Sequence, residues 1–267
     1  MSDSPLLVAP PDLARTYSGR AYSDPWDAVE DYQRVLEYSG RRPNAGGQAI
    51  ASALSLPRGR VRPWLDGSIP RPVQGIQTAE SHGWLPLSED NEHFETINRL
   101  VAWVCSLGTI KPNLFTPYFR YRSDADRDRL EALLETLGLE PQPFRTDSGP
   151  RSAEISISED GAVFGRLLVC LEAPTDDETI DIAPQYLNDV SKAAQSDFAR
   201  VYVQNRAEHW EWNDRYVIEH ANRSDRYRRS LATFFATLGA DADVHEDAIS
   251  IDRWFVEQLN TGSVNAV

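Results

Sequence analysis

Apolar positions first fall into helical register at Asp27. From there Val29, Tyr32, Val35 and Leu36 recur on one face and predict a helix closed by Ser39-Gly40. Ahead of it, residues 1–25 carry Pro5, Pro10, Pro11 and Gly19 among polar residues and read as a flexible leader. Behind it, Gly47–Leu54 is a short Ala-rich helix, Ser55-Leu56 a turn, and Pro57 suits the first position of the next helix. At about 100° per residue, Val61, Trp64 and Leu65 share one arc. Arg58, Arg60 and Arg62 lie outside it, with the small Gly59 in the middle of the exposed arc. Pro63 is expected to interrupt or bend this helix, because it lacks an N–H and its ring crowds the preceding turn. Val73, Ile76 and Ala79 mark one more helix over 72–81, closed by Gly83, with Trp84-Leu85 packing back. Pro86 and Ser88–Asn91 then read as a linker.

Past Asn91 the pattern is helix, strand pair, helix, strand pair, helix, and it occurs twice. In the first copy Ile97, Leu100, Val101 and Val104 give a helix over Phe94–Leu107 stopped by Gly108. Phe115–Tyr121 is extended, Asp124–Leu137 is amphipathic, Phe144 and Ala153–Ser158 are strands, and Ala162–Leu171 is helical. The second copy reads Asp197–Glu208, Tyr216–His220, Asp225–Leu238, Ala248–Ile251 and Arg253–Leu259, after a connector over 180–187. Residues 123–138 lie over 224–239 with seven of sixteen positions identical: Ser, Asp, Arg, Leu, Thr, Leu and Gly. Glu154–Ile157 then Phe164 likewise recurs as Ala248–Ile251 then Phe255. Such a repeat is too long for a solenoid and fits two copies of a half-domain. The domains expected are a leader (1–25), a helical domain (26–88) and a duplicated domain (91–267), with halves at about 93–174 and 180–262. The fold class expected is α+β.

Charge adds a second layer. The chain has a net charge of −14, and only Lys111 and Lys192 among its 27 basic residues are lysines. Acid surplus with little lysine fits a protein hydrated in concentrated salt, a haloarchaeal-type cytoplasm. Against that background, residues 40–84 hold six arginines (Arg41, Arg42, Arg58, Arg60, Arg62, Arg71) and two carboxylates, a local +4. A basic island of this kind is an electrostatic footprint for phosphate. Cys105 and Cys170 sit in apolar runs without a second Cys or His at ligand spacing and read as buried thiols. No apolar run reaches membrane-spanning length and no signal peptide is evident, so a cytoplasmic protein is expected.

The helix pair over 47–67 resembles the helix-turn-helix of DNA-binding regulators and resolvase-like proteins, in which the second helix enters the major groove. The duplicated region, roughly 93–260, resembles the LAGLIDADG homing-endonuclease fold. Residues 99–108 (Arg-Leu-Val-Ala-Trp-Val-Cys-Ser-Leu-Gly) stand where that family has its signature helix, and 198–207 (Phe-Ala-Arg-Val-Tyr-Val-Gln-Asn-Arg-Ala) where its second copy falls. The resemblance implies two helices side by side at a pseudo-twofold and strands forming a saddle over DNA. It also implies an acidic residue near each helix end to hold divalent metal. Here those positions are Leu107 and Arg206, which cannot bind it. Glu208 and Asp197 lie nearby. In general design the two parts together resemble a class of bacterial developmental transcription regulators, with the domain order reversed.

The function expected is sequence-specific binding of double-stranded DNA, as a transcription regulator without catalysis, metal or cofactor. Arg58, Arg60 and Arg62 would read bases. Arg41, Arg42, Gly59 and Arg71, and Arg120, Arg122 and Arg145 beside Tyr118 on the saddle, would add DNA contacts. His209 and His220 read as surface or hydrogen-bonded residues, and Trp210 and Trp212 as core. The rival readings are a homing or mobile-element endonuclease with relocated acids, and a module for a protein partner, homodimer or ligand.

Overall fold

A computed structural model describes residues 4–18, 22–145, 153–176, 181–220 and 223–262, with the backbone alone of Arg145. The chain divides into two compact units, Val8–Pro86 and a second made of Met1–Leu7 with Leu87–Val267.

Residues expected to form a loose leader instead give strand β1 (Leu6–Val8) and helix α1 (Pro10–Arg15). Pro10 and Pro11 occupy the first helical turn, where their missing N–H groups cost nothing. Leu13 and Ala14 are fully buried, which holds the helix down. Helix α2 (Pro25–Arg41) starts at Asp24, whose Oδ1 accepts the Trp26 N–H at 3.0 Å. It buries Val29, Tyr32 and Val35 and runs past Ser39-Gly40; Leu36, expected on the same face, is exposed. Helices α3 (Gly47–Leu54) and α4 (Arg58–Leu65) follow, then α5 (Arg71–Ser81) with Val73, Ile76 and Ala79 buried. Trp64 of α4 meets the Tyr32 ring edge-on, with centroids 5.7 Å apart. Pro63 lies inside α4, which stops two residues later.

The second unit opens with β2 (Leu87–Ser88), and its α+β repeat then runs twice. The first copy is α6 (Phe94–Leu107), β3 (Gly108–Ile110), β4 (Pro117–Arg120), α7 (Asp124–Thr136), β5 (Pro141–Arg145), β6 (Glu154–Ile157) and α8 (Gly161–Cys170). After a 3-10 turn at Gln185–Asn188 come α9 (Lys192–Arg206), β7 (Ala207–Trp210) and β8 (Arg215–Glu219). The copy closes with α10 (Asp225–Thr237), β9 (Ala242–Val244), β10 (Ala248–Asp252) and α11 (Arg253–Thr261). Each copy forms an antiparallel sheet of the same order, β3-β4-β6-β5 and β7-β8-β10-β9.

The repeated residues have matching structural jobs. Ser123 and Ser224 cap α7 and α10, each Oγ accepting a backbone N–H at 3.1 Å. Leu130 and Leu231 are fully buried, and so are Phe164 and Phe255. Gly138 and Gly239 take φ of 72° and 98° just past each helix, which a side chain would resist. Helices α6 and α9 lie against each other at the centre. Asn98 Nδ2 donates to the Ala194 carbonyl and Asn205 Nδ2 to Ser106 Oγ, both at 2.9 Å.

Candidate nucleic-acid interface

The Ser55-Leu56-Pro57 turn sets the geometry of the basic helix pair. Ser55 sits in the left-handed region (φ 56°, ψ 36°), and its N–H and that of Leu56 close α3 on Ser52 and Ala51. Pro57 is the extended N-cap of α4. Val61 and Trp64 are buried and Leu65 partly so, which turns Arg58, Gly59 and Arg62 outward. Nothing lies within 4 Å of where a Gly59 Cβ would be, so this part of α4 presents open backbone. The Arg62 side chain is 70% exposed, with only Asp66 at 3.6 Å. Arg41 pairs with Glu37, Arg42 lies over the Tyr38 ring, and Arg71 is exposed at the start of α5.

Arg60 departs from the exposed arc expected of it. Its guanidinium lies 4.1 Å over the Tyr22 ring and 4.0 Å from Asp31, and the side chain is only 23% exposed. Burial, then the hydrogen bond to Asp31, pushes the Tyr22 hydroxyl up to about 12. Arg60 thus fastens α4 to its surroundings, and its charge is partly compensated.

In the second unit, β4 places Tyr118 and Arg120 on the outer sheet face opposite buried Phe119, as the alternation predicts. Arg120 donates to Glu154 at 2.9 Å, which neutralises it in place. Arg122 lies beyond the strand, 4.0 Å from Glu208. Arg145 falls at the end of β5 opposite Glu154; its side chain lies outside the described residues. The second sheet's outer face is more acidic. Arg215 spans it, donating to Ser250 and pairing with Asp241 and Asp243. Trp210 and Trp212, expected in the core, are 38% and 77% exposed, because β7 and its turn form a solvent-facing hairpin.

Neither central helix ends on an acidic residue. Leu107 closes α6, and Gly108 must be glycine, since a Cβ would lie 2.8 Å from the Val104 Cα. Arg206 closes α9, and its Nη2 lies 3.2 Å from His220 Nδ1. A guanidinium can only donate, so Nδ1 accepts and the imidazole hydrogen sits on Nε2. That Nε2–H donates to Tyr202 Oη at 2.7 Å, and the Tyr202 and Tyr227 hydroxyls share a hydrogen bond at 3.2 Å. Burial, then Arg206, Arg223 and Arg228, pushes His220 down to about 3, so the ring is neutral. Arg228 is itself buried and donates to the His220 and Arg223 carbonyls. This network was not legible in sequence, because its members lie on α9, just past β8 and on α10 without a local motif.

The donor set does not fit a divalent metal. Leu107 has no ligand atom and Arg206 would repel a cation. Asp197, the nearest relocated candidate on α9, lies about 13 Å upstream at 1.5 Å per residue. It is already held by Arg99 at 2.6 Å and Arg200 at 2.6 Å. Glu208 is exposed beside Arg122. Among the described residues no group of three His, Cys, Asp or Glu stands where it could hold a metal ion. Nor is any described helix long and apolar enough to cross a membrane.

No family model and no curated protein sequence matches the chain. Among solved structures it is similar to the homing endonuclease I-WcaI bound to its DNA recognition sequence, at 11% identity and a TM-score of 0.45, over 76% of this chain and 93% of that one. It is similar to I-DmoI in complex with DNA and Mn at 13% identity and a TM-score of 0.43, over 65% and 98% of the two chains. The N-terminal LAGLIDADG domain of WhiA gives 13% identity and a TM-score of 0.42, over 75% and 96%. The α+β architecture stands on this chain's own strand order and repeated elements.

Proposed function

We propose that this chain is a sequence-specific DNA-binding protein, acting as a transcription regulator, that binds its site without cutting it. The observation that carries the reading is the α3–turn–α4 pair. A short helix, a left-handed serine and a second helix present Arg58 and Arg62 to solvent in a segment of net +4. In this reading the pair is a helix-turn-helix and α4 enters the major groove. Arg58 and Arg62 read guanine through paired hydrogen bonds. Gly59 lets the backbone approach phosphate, while Arg41, Arg42 and Arg71 position the protein on the duplex. Arg60 keeps α4 in place instead of reading bases. Leu107, Arg206 and the fully engaged Asp197 weigh against an endonuclease. Binding-site selection from a random duplex library tests the proposal. The Arg58→Ala/Arg62→Ala variant should lose the selected motif while keeping its fold.

A second role is favoured by the second sheet. Its outer face carries Asp243 and exposed Trp210, with Asp241 and exposed Trp212 at its margins, a poor surface for phosphate and a good one for a protein partner or second copy. Light scattering with and without Trp212→Ser tests it: a second copy bound there gives a dimer that the variant abolishes.

A further inference from the structure

Strand register lays out the outer face of the second sheet row by row. Glu208 of β7 stands opposite Val217 of β8, Val217 opposite Ser250 of β10, and Ser250 opposite Asp243 of β9. This row therefore ends in a carboxylate on each edge strand, three strand spacings or about 14 Å apart. In the next row Trp210 stands opposite Arg215, and Arg215 opposite Asp252. Glu219, two residues past Val217 on β8, is exposed on the same face. The guanidinium of this face is fully engaged. Arg215 lies across Ser250, donating to its Oγ at 3.1 Å and to the Asp241 carbonyl at 2.8 Å, and pairs with Asp241 and Asp243 at 3.2 and 3.1 Å. Arg253, by the β7–β8 turn, is held by Asp214 and Glu257. Arg122 of the first repeat reaches Glu208 only at 4.0 Å, a mostly exposed and weak pairing. The side chains left open to solvent are acidic and aromatic: Glu208, Glu219 and Asp243 with Trp210, and Trp212 beside it at a ring-centroid distance of 6.0 Å.

Carboxylates attract ammonium and guanidinium groups, and exposed tryptophan rings hold the same groups by cation–π contact. A like-charged phosphate backbone is repelled. The distance between the two edge carboxylates is spanned by about four residues of extended chain. A twofold contact would bring the same patch of two copies together, which here sets carboxylate against carboxylate. We infer that this face is a docking surface for a lysine- or arginine-rich segment of another protein. The inference rests on the second role proposed above and names its occupant. Basic side chains lie over Trp210 and Trp212 and pair with Glu208, Glu219 and Asp243.

The test is calorimetric titration of the full chain, in KCl at which it is folded, with octa-arginine and separately with octa-glutamate. Three variants are measured alongside: Glu208→Gln/Asp243→Asn, Trp212→Ser, and Asp124→Asn/Asp128→Asn, which removes two exposed charges from α7 instead. The substituted side chains are all mostly exposed, so each variant should fold. Octa-arginine should bind one site and octa-glutamate none. Affinity should fall roughly tenfold in each of the first two variants and by less than about twofold in the α7 variant. An equal fall in the α7 variant would reduce the binding to the general acidity of the chain and overturn the inference. If octa-arginine does not bind, but light scattering shows a dimer that Trp212→Ser abolishes, the occupant is a second copy: the inference fails and the second role stands. With neither peptide binding nor a dimer, the inference falls together with the second role. A duplex carrying the selected motif, bound more weakly by Trp212→Ser, would give the face to DNA and overturn both.

Discussion

At the residue scale, His220 is the most informative side chain. It is buried, accepts from a guanidinium and is held neutral down to about 3, against an ordinary 6.5. The sign follows directly. Above the unfolded value neither state is protonated and the network keeps its full stability. As pH falls from about 6.5 toward 3, the unfolded chain takes up a proton that the folded chain refuses, so stability is lost over that window. Between pH 7 and pH 5 the loss is about 2 kcal/mol. Denaturant unfolding at the two pH values should show it, and His220→Asn should remove that part of the pH slope; an unchanged slope would mean the ring is not held neutral. Arg58 and Arg62 carry the second residue-scale prediction. Each alanine substitution should cost about 1–3 kcal/mol of specific affinity where a paired guanine contact is lost. Arg60→Ala should instead lower stability by loosening α4 from Tyr22 and Asp31. Equal melting of Arg60→Ala and parent would return Arg60 to the reading face.

At the element scale, the repeat is built from matched stops and caps, and its tolerance is uneven. Gly165 in α8 faces the Phe115 carbonyl, where a Cβ would come within 1.7 Å of the oxygen. Gly165→Ala must therefore displace backbone, with a cost of about 1–3 kcal/mol or more, read as a lowered melting temperature. Gly59→Ala, in open space, should be neutral or slightly stabilising by helix propensity. Much of this level was legible in the chain. Helices α7 and α10 announce themselves by apolar period, a Ser cap and a Gly stop, α6 by period and its Gly108 stop, and α11 by period. What was missed has physical causes. Strand β7 begins directly after α9 with no breaker between, so Ala207 and Glu208 read as helix, and β3 is a three-residue strand that opens on the glycine stopping α6. Helix α1 hides behind two prolines that belong to its first turn. Arg60 fits the exposed arc by angle alone, and only a distant tyrosine and aspartate turn it inward. The exposed Trp210 and Trp212 cannot be told from core tryptophans without knowing that their hairpin projects.

At the scale of the whole molecule, charge is divided by role. A local +4 on the helix-pair segment stands within a chain of net −14. Phosphate-dominated affinity falls steeply with salt, so a binder working in concentrated salt must rely more on base contacts. We propose that the acidic remainder is a halophilic adaptation. Self-repulsion among its carboxylates is screened only when the Debye length is short, about 3 Å at 1 M. The melting temperature should accordingly rise as KCl is raised from dilute to molar. Full stability in dilute buffer would contradict that reading without touching the DNA-binding one. The central claim is tested most directly by selecting bound fragments from a random duplex library in concentrated KCl with Mg²⁺, and sequencing both the fragments and any new ends. The account predicts one discrete motif with intact ends, lost in the Arg58→Ala/Arg62→Ala variant. Site-specific new ends, or no motif at all, would contradict it.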